Sequence, residues 1–166
     1  GIWPVHCVAD TPGAALHADL AVRPHDTIAS KGMSKLDDGY SGWYATYDES
    51  SDLYRYGLAH DDITDVGHAA LDRVYRSHRR IAILVGGLAT DYCVKATVLD
   101  ALRDLKNADS DYGDVIVLRN AIRAVNIQPN DGDEAIKAML EAGALAMTTD
   151  EIIAGGIVID QSRLEC

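Results

Sequence analysis

The residue types able to do covalent chemistry concentrate at one point, Gly86-Gly87-Leu88-Ala89-Thr90-Asp91-Tyr92-Cys93-Val94-Lys95. Thr90 is placed as a helix N-cap, which puts Cys93 in the first helical turn. Unpaired backbone N–H groups and the helix dipole favour an anion there, so this cysteine is positioned to react as a thiolate. The alternative reading is a small buried hydrophobe, the ordinary role of a free cysteine. Two cationic or ligating side chains stand apart from the rest: Lys31 at the end of the stretch His25 to Gly32, and His6 within Trp3-Pro4-Val5-His6-Cys7. Taken alone, Lys31 reads as a solvated lysine at a strand end, His6 as a surface imidazole beside a proline turn and Cys7 as a packed thiol. His17, His25, His60, His68 and His78 show no ligand spacing with His6 and are assigned no chemistry.

These residues need elements to position them. Ile81 to Val85 is short, β-branched and uninterrupted, which suits a strand buried on both faces. Behind it Val94, Val98, Ala101, Leu102 and Leu105 recur at helical spacing, so one apolar stripe can pack back onto the sheet. Upstream, Trp3 to Ala14 is turn-rich, since Pro4 and Pro12 both restrict the residue before them. His25 to Gly32 reads as a short strand ending in Lys31, and Met33 to His60 as a long polar surface excursion. Asp65 can cap a helix with Val66, Ala69, Ala70 and Val74 on one face and Arg76, Arg79 and Arg80 near its end. Val115 to Leu118 is a further strand, Asn130-Asp131 opens a helix that Gly143 closes, and Ala144 to Thr148 makes a last strand. The expected architecture is a single α/β domain over residues 1–166, a three-layer α/β/α fold on a mostly parallel, doubly wound sheet. Sites in such sheets lie at the carboxyl ends of the strands, where Lys31 and Cys93 both fall.

Composition excludes several classes. A chain of 166 residues, 48% apolar, has room for one well-formed core. Its net charge of −11, with no basic stripe, argues against nucleic acid or anionic lipid as partner. No apolar run is long enough to span a bilayer, and the first residues carry no signal-peptide pattern. Three cysteines without a close pair give no disulfide framework, and free thiols fit a reducing cytoplasm.

Three stretches combine in order: Trp3-Pro4-Val5-His6-Cys7-Val8 with Thr11-Pro12-Gly13-Ala14, then Lys31-Gly32 with Tyr40-Ser41-Gly42-Trp43, then Gly87 to Val94. Together, from Trp3 to about Ile152, they resemble the nicotinamidase and pyrazinamidase branch of the isochorismatase-like cysteine hydrolases. The resemblance implies Cys93 as nucleophile and Lys31 as the ammonium beside it. It implies an oxyanion hole from the backbone N–H groups of Ala89 and Cys93, with a cis peptide between Leu88 and Ala89. Trp3 and Tyr92 would flank a flat pyridine ring on two faces, and Tyr40 would line or support the pocket, with a core role as its alternative. His6 would be one ligand of a divalent metal, Zn, Mn or Fe, that orients the ring. The implied partner is a small carboxamide such as nicotinamide or a pyrazinamide-like amide, and the implied reaction is its deamidation through a thioester. Asp91 reads as a second helix cap rather than a catalytic acid.

The family begins with a strand ending in the catalytic aspartate, and its second strand leads to Asp-x-His metal ligands. Neither pattern occurs ahead of Trp3, so the chain is expected to be a piece of a larger polypeptide, or to be completed by a separate N-terminal segment; a homo-oligomer is the other expectation. Gly156 to Gln161 resembles a strand delivering an aspartate, but threading it into the sheet centre breaks the connection rules, so Asp160 reads as edge strand or tail. Two alternatives stay open: a sister hydrolase of the same fold, acting on N-carbamoyl amides or isochorismate, and a catalytically silent binding or assembly module. Isochorismatases need no pyridine-binding metal, so the His6 motif and an intact Cys93 count against that member.

Overall fold

The computed structural model describes residues 3–23, 26, 28–32, 39–47, 65–77, 81–107 and 113–155. The readings of His25, His60, His78, Arg79, Arg80 and Asp160 fall outside the described residues. The strands are β1 (Ala29–Ser30), β2 (Thr46–Tyr47), β3 (Ile81–Leu88), β4 (Gly113–Arg123) and β5 (Leu145–Met147). The helices are α1 (Val66–Ser77), α2 (Lys95–Asn107), α3 (Asp131–Glu141) and the short α4 (Thr149–Ile153), with a π-helical turn at Thr90–Val94 feeding α2.

The fold is α/β, built on a parallel sheet of order β3-β4-β5. Val85, Val115 and Val117 point from its strands into one core with Val94, Val98, Ala101 and Leu105 from the cysteine turn and α2, and Met139 from α3. Val98 and Met139 have no exposed surface. Burying side chains of this size stabilises by about 1.5–3 kcal/mol each. The apolar stripe expected on the helix after Cys93 is therefore the stripe that packs. Ile81 pairs with Gly113 and Val85 with Val117, but Gly87 pairs with Ile122, so β4 bulges where β3 ends. The irregularity lies immediately before the cysteine turn, and bulges in such places re-aim the chain.

Two expectations are corrected. The stretch ending in Lys31 does not join the parallel sheet: among the described residues, Ala29 and Ser30 pair antiparallel with Tyr47 and Thr46. The polar stretch from Met33 to His60 is not wholly a surface excursion either, because Trp43 and Ala45 are 2% and 4% exposed. Polar neighbours masked a core residue: the Trp43 indole N–H donates to Asp104 Oδ2 at 2.9 Å, so its one polar atom is satisfied while its ring is buried. A Cβ on Gly67 would lie 2.4 Å from Trp43 Nε1, so α1 can approach the indole only with glycine there. Asp65 caps α1 as expected, with Oδ1 accepting from the His68 N–H at 2.9 Å.

Candidate active site

Cys93 is carried on the turn between β3 and α2, at the carboxyl end of the parallel sheet. The Leu88–Ala89 peptide is cis. Ala89, not Thr90, occupies the N-cap position, and no side chain caps the turn. Thr90 is instead 2% exposed, inside the first turn, because a π-helical turn starts one residue earlier than the α-helix read from the sequence. The Ala89 carbonyl accepts from the N–H groups of Tyr92 and Val94 at 3.2 and 3.0 Å. One carbonyl thus organises the turn that presents the thiol.

Asp91 is not a helix cap. Its Oδ1 and Oδ2 accept from the N–H groups of Val125 and Asn126 at 3.0 and 2.9 Å, in the loop after β4. Burial opposes ionisation of this carboxyl, but the two backbone donors, with Lys95 nearby, outweigh it and hold the group below its ordinary value. Asp91 therefore clamps the cysteine turn to a distant loop. No local pattern signals those partners.

Lys31 Nζ lies 3.3 Å from Cys93 Sγ and donates to the Gly39 carbonyl at 3.1 Å. The structure thus joins two residues sixty-two positions apart in the chain. Gly39 has φ of 57°, and a Cβ there would sit 2.5 Å from the Gly32 Cα, so glycine is required for the two backbones to meet. Thr97, missed by the sequence reading, donates from Oγ1 to the Cys93 carbonyl at 2.7 Å and accepts from the Gly42 N–H at 2.8 Å. Its signal was available: a threonine four residues after Cys93 lies one helical turn on and can bond back to that carbonyl. Asp104 was also missed. It accepts from Trp43 Nε1, from the Tyr44 hydroxyl at 2.7 Å and from Arg103 Nε at 3.3 Å. Burial opposes its ionisation, yet these bonds and the Arg103 charge hold its carboxyl below the ordinary value.

The aromatic residues also meet, in a different arrangement from the expected one. Trp3 contacts Tyr92 edge-on, with centroids 5.0 Å apart and planes at 83°, and Tyr40 lies 5.6 Å from Tyr92 at 52°. Two rings in direct, near-perpendicular contact cannot sandwich a flat ring between them, so Trp3 and Tyr92 form a corner rather than a slot. Desolvation, with the charges of Asp91 and Asp131 and with Tyr40 nearby, pushes the Tyr92 phenol above its ordinary value.

His6 stands 6.2 Å from Trp3, and its Nδ1 lies 2.7 Å from the Pro4 carbonyl. A neutral imidazole that donates there leaves Nε2 as its lone-pair nitrogen. Among the described residues no three His, Cys, Asp or Glu side chains come together to hold a metal. One donor does not bind a divalent ion, so the described residues do not by themselves fit the implied metal. Cys7 is exposed rather than packed. No helix of the described residues is long and apolar enough to cross a membrane.

A nicotinamidase of Escherichia coli is 36% identical over 146 residues, which are 88% of this chain and 57% of that protein. A nicotinamidase/pyrazinamidase of Mycobacterium tuberculosis is 29% identical over 61% of this chain and 44% of its own length. The chain thus spans about half the length of these relatives. Among solved structures, PnC1 from L. infantum in complex with nicotinate superposes with a TM-score of 0.63 at 22% identity, over 90% of this chain and 62% of that one. A nicotinamidase pyrazinamidase of Acinetobacter baumanii gives a TM-score of 0.64 at 23% identity, over 91% of this chain and 61% of that one. Both support the fold. The isochorismatase domain matches residues 64–151, from the cap of α1 through the cysteine turn to α4, and with that match the chain belongs to the isochorismatase domain family.

Proposed function

We propose that the protein hydrolyses nicotinamide to nicotinate and ammonia, with pyrazinamide-like amides as further substrates, in the cytoplasm and as a step of pyridine nucleotide salvage. The observation that carries the reading is the ammonium of Lys31 at 3.3 Å from the thiol of Cys93, on a turn at the carboxyl end of the sheet. An ammonium in that place donates a hydrogen bond to the sulfur and can offset the charge that develops on it as the thiol proton is removed.

In the proposed reaction a carboxylate takes the Cys93 proton, and the thiolate attacks the carboxamide carbon. The oxyanion draws on the N–H groups of Ala89 and Cys93. The C–N bond breaks as the carboxylic acid returns the proton to the leaving nitrogen, and ammonia departs. Water then attacks the thioester, losing a proton to the same carboxylate; the C–S bond breaks, the carboxylic acid returns that proton to the departing sulfur, and the nicotinic acid loses its own proton to solvent as nicotinate. We assign that carboxylate to a residue outside those described; among the described residues, the side chain hydrogen-bonded to Cys93 Sγ is that of Lys31. Trp3, Tyr92 and Tyr40 supply the apolar corner against which the ring rests. On the metal we propose only that His6 Nε2 is one donor of a divalent site, and no step above passes through it.

Ammonia release from nicotinamide tests the reading, measured on this chain and, where the natural polypeptide is longer, on that. Release that disappears in Cys93→Ala is expected. No release from either form would sink the enzyme reading and leave a silent binding module of the same fold.

A further inference from the structure

Four hydrogen bonds close a ring around the thiol. Lys31 Nζ reaches Cys93 Sγ, and the same nitrogen donates to the Gly39 carbonyl. Three residues on, the Gly42 N–H donates to Thr97 Oγ1, and Thr97 Oγ1 donates to the Cys93 carbonyl. The backbone from Gly39 to Gly42 and the Cys93 residue itself complete the circuit. We propose that Thr97 is a positioning residue that holds the Gly39–Gly42 segment, and through it the Lys31 ammonium, against the Cys93 thiol. The inference takes the chemical role of Lys31 and Cys93 from the amidohydrolase reading.

Chemistry selects the side chain. The link must accept from Gly42 and donate to Cys93 at the same atom, and a hydroxyl does both. Serine preserves the link; valine, of the same shape, removes it. Thr97 is half-buried on the first turn of α2, so its rotamer is restrained by the helix that also carries the nucleophile's turn. A Cβ on Gly42 would lie 3.4 Å from Thr97 Oγ1, so the segment sits against the hydroxyl at contact distance. Asp104 holds the residues that follow the segment, Trp43 and Tyr44, and keeps those residues docked when the Thr97 link is lost. Loss of the link therefore loosens the placement of Lys31 and leaves the fold in place. Thr97 does not touch the reacting atoms.

The test is the alkylation rate of Cys93 by iodoacetamide at neutral pH, read by peptide-resolved mass spectrometry so that Cys7 and Cys166 are counted separately. Thr97→Val is expected to slow Cys93 alkylation about three- to tenfold, the range set by one hydrogen bond. Thr97→Ser is expected to stay within about twofold of the parent. In a Lys31→Met background the valine substitution is expected to add nothing further, because the two changes act on one interaction. An equal loss with and without Lys31, or a Thr97→Val protein that unfolds more easily but alkylates at the parent rate, overturns the proposal. Nicotinamide turnover separates the two readings. A fall in kcat with KM unchanged in Thr97→Val agrees with positioning. The alkylation pattern intact in a protein that releases no ammonia supports the ring and defeats only the amidase reading.

Discussion

At the scale of single residues, the thiol of Cys93 and the ammonium of Lys31 are separated by a hydrogen-bond distance while their elements belong to different sheets. Neither can be replaced by geometry alone. On the proposed amidohydrolase reading, Cys93→Ala is expected to abolish ammonia release, and Lys31→Met to lower kcat by about a hundredfold or more, within the range for a positioned proton-transfer or charge-stabilising group. Steady-state kinetics with nicotinamide would check both; a Lys31→Met enzyme with parental kcat would remove Lys31 from the chemistry. Trp3 tests the aromatic corner separately. A contact between its ring and the flat ring of a bound amide would be worth about 0.5–1.5 kcal/mol, so Trp3→Ala is expected to raise KM by about three- to tenfold with little change in kcat. A change in kcat alone would place Trp3 outside the binding surface.

At the scale of elements, the cysteine turn is held from two sides, by the Gly39–Gly42 segment through Thr97 and by the loop after β4 through Asp91. Replacing Asp91 with asparagine leaves one oxygen for two backbone donors and is expected to cost about 2 kcal/mol at neutral pH by urea unfolding. The folded-state carboxyl titrates below its ordinary value of 3.8. Its stabilising contribution is therefore fully present above that value and is lost as pH falls through the lower, folded-state value. The gap between Asp91→Asn and the parent should accordingly shrink in acid; a gap that holds constant down to about pH 2 would contradict the ionised clamp. Gly39→Ala addresses the other side. With φ of 57° and Gly32 Cα 2.5 Å from the added carbon, it is expected to destabilise by more than about 1 kcal/mol and to slow Cys93 alkylation.

At the scale of the whole molecule, the parallel sheet, the cysteine turn and the helices α2 and α3 share one core, with Met139 on the helix that does not carry the turn. Met139→Ala, at a side chain with no exposed surface, is expected to cost about 2–5 kcal/mol. Calorimetry should show the loss while the folded protein still alkylates Cys93 at the parental rate. A parallel loss of thiol reactivity at low temperature would show that core and site are coupled. What the amino-acid sequence determined by itself is what rests on local periodicity. The run Ile81 to Val85, the stripe Val94-Val98-Ala101-Leu105 and the cysteine at their junction were legible because strand, helix and turn each write a short-range pattern. The lysine was legible as a candidate, but only the resemblance to a family gave it a role. Tertiary structure alone decided the rest. That Asp91 reaches Val125 and Asn126, that Trp43 leaves a polar stretch to enter the core, that the Lys31 strand pairs antiparallel with Thr46–Tyr47, and that Thr97 ties Gly42 to the cysteine turn are contacts between residues far apart in the chain. Their physical cause is the close approach of separate segments, which leaves no periodic trace in either segment.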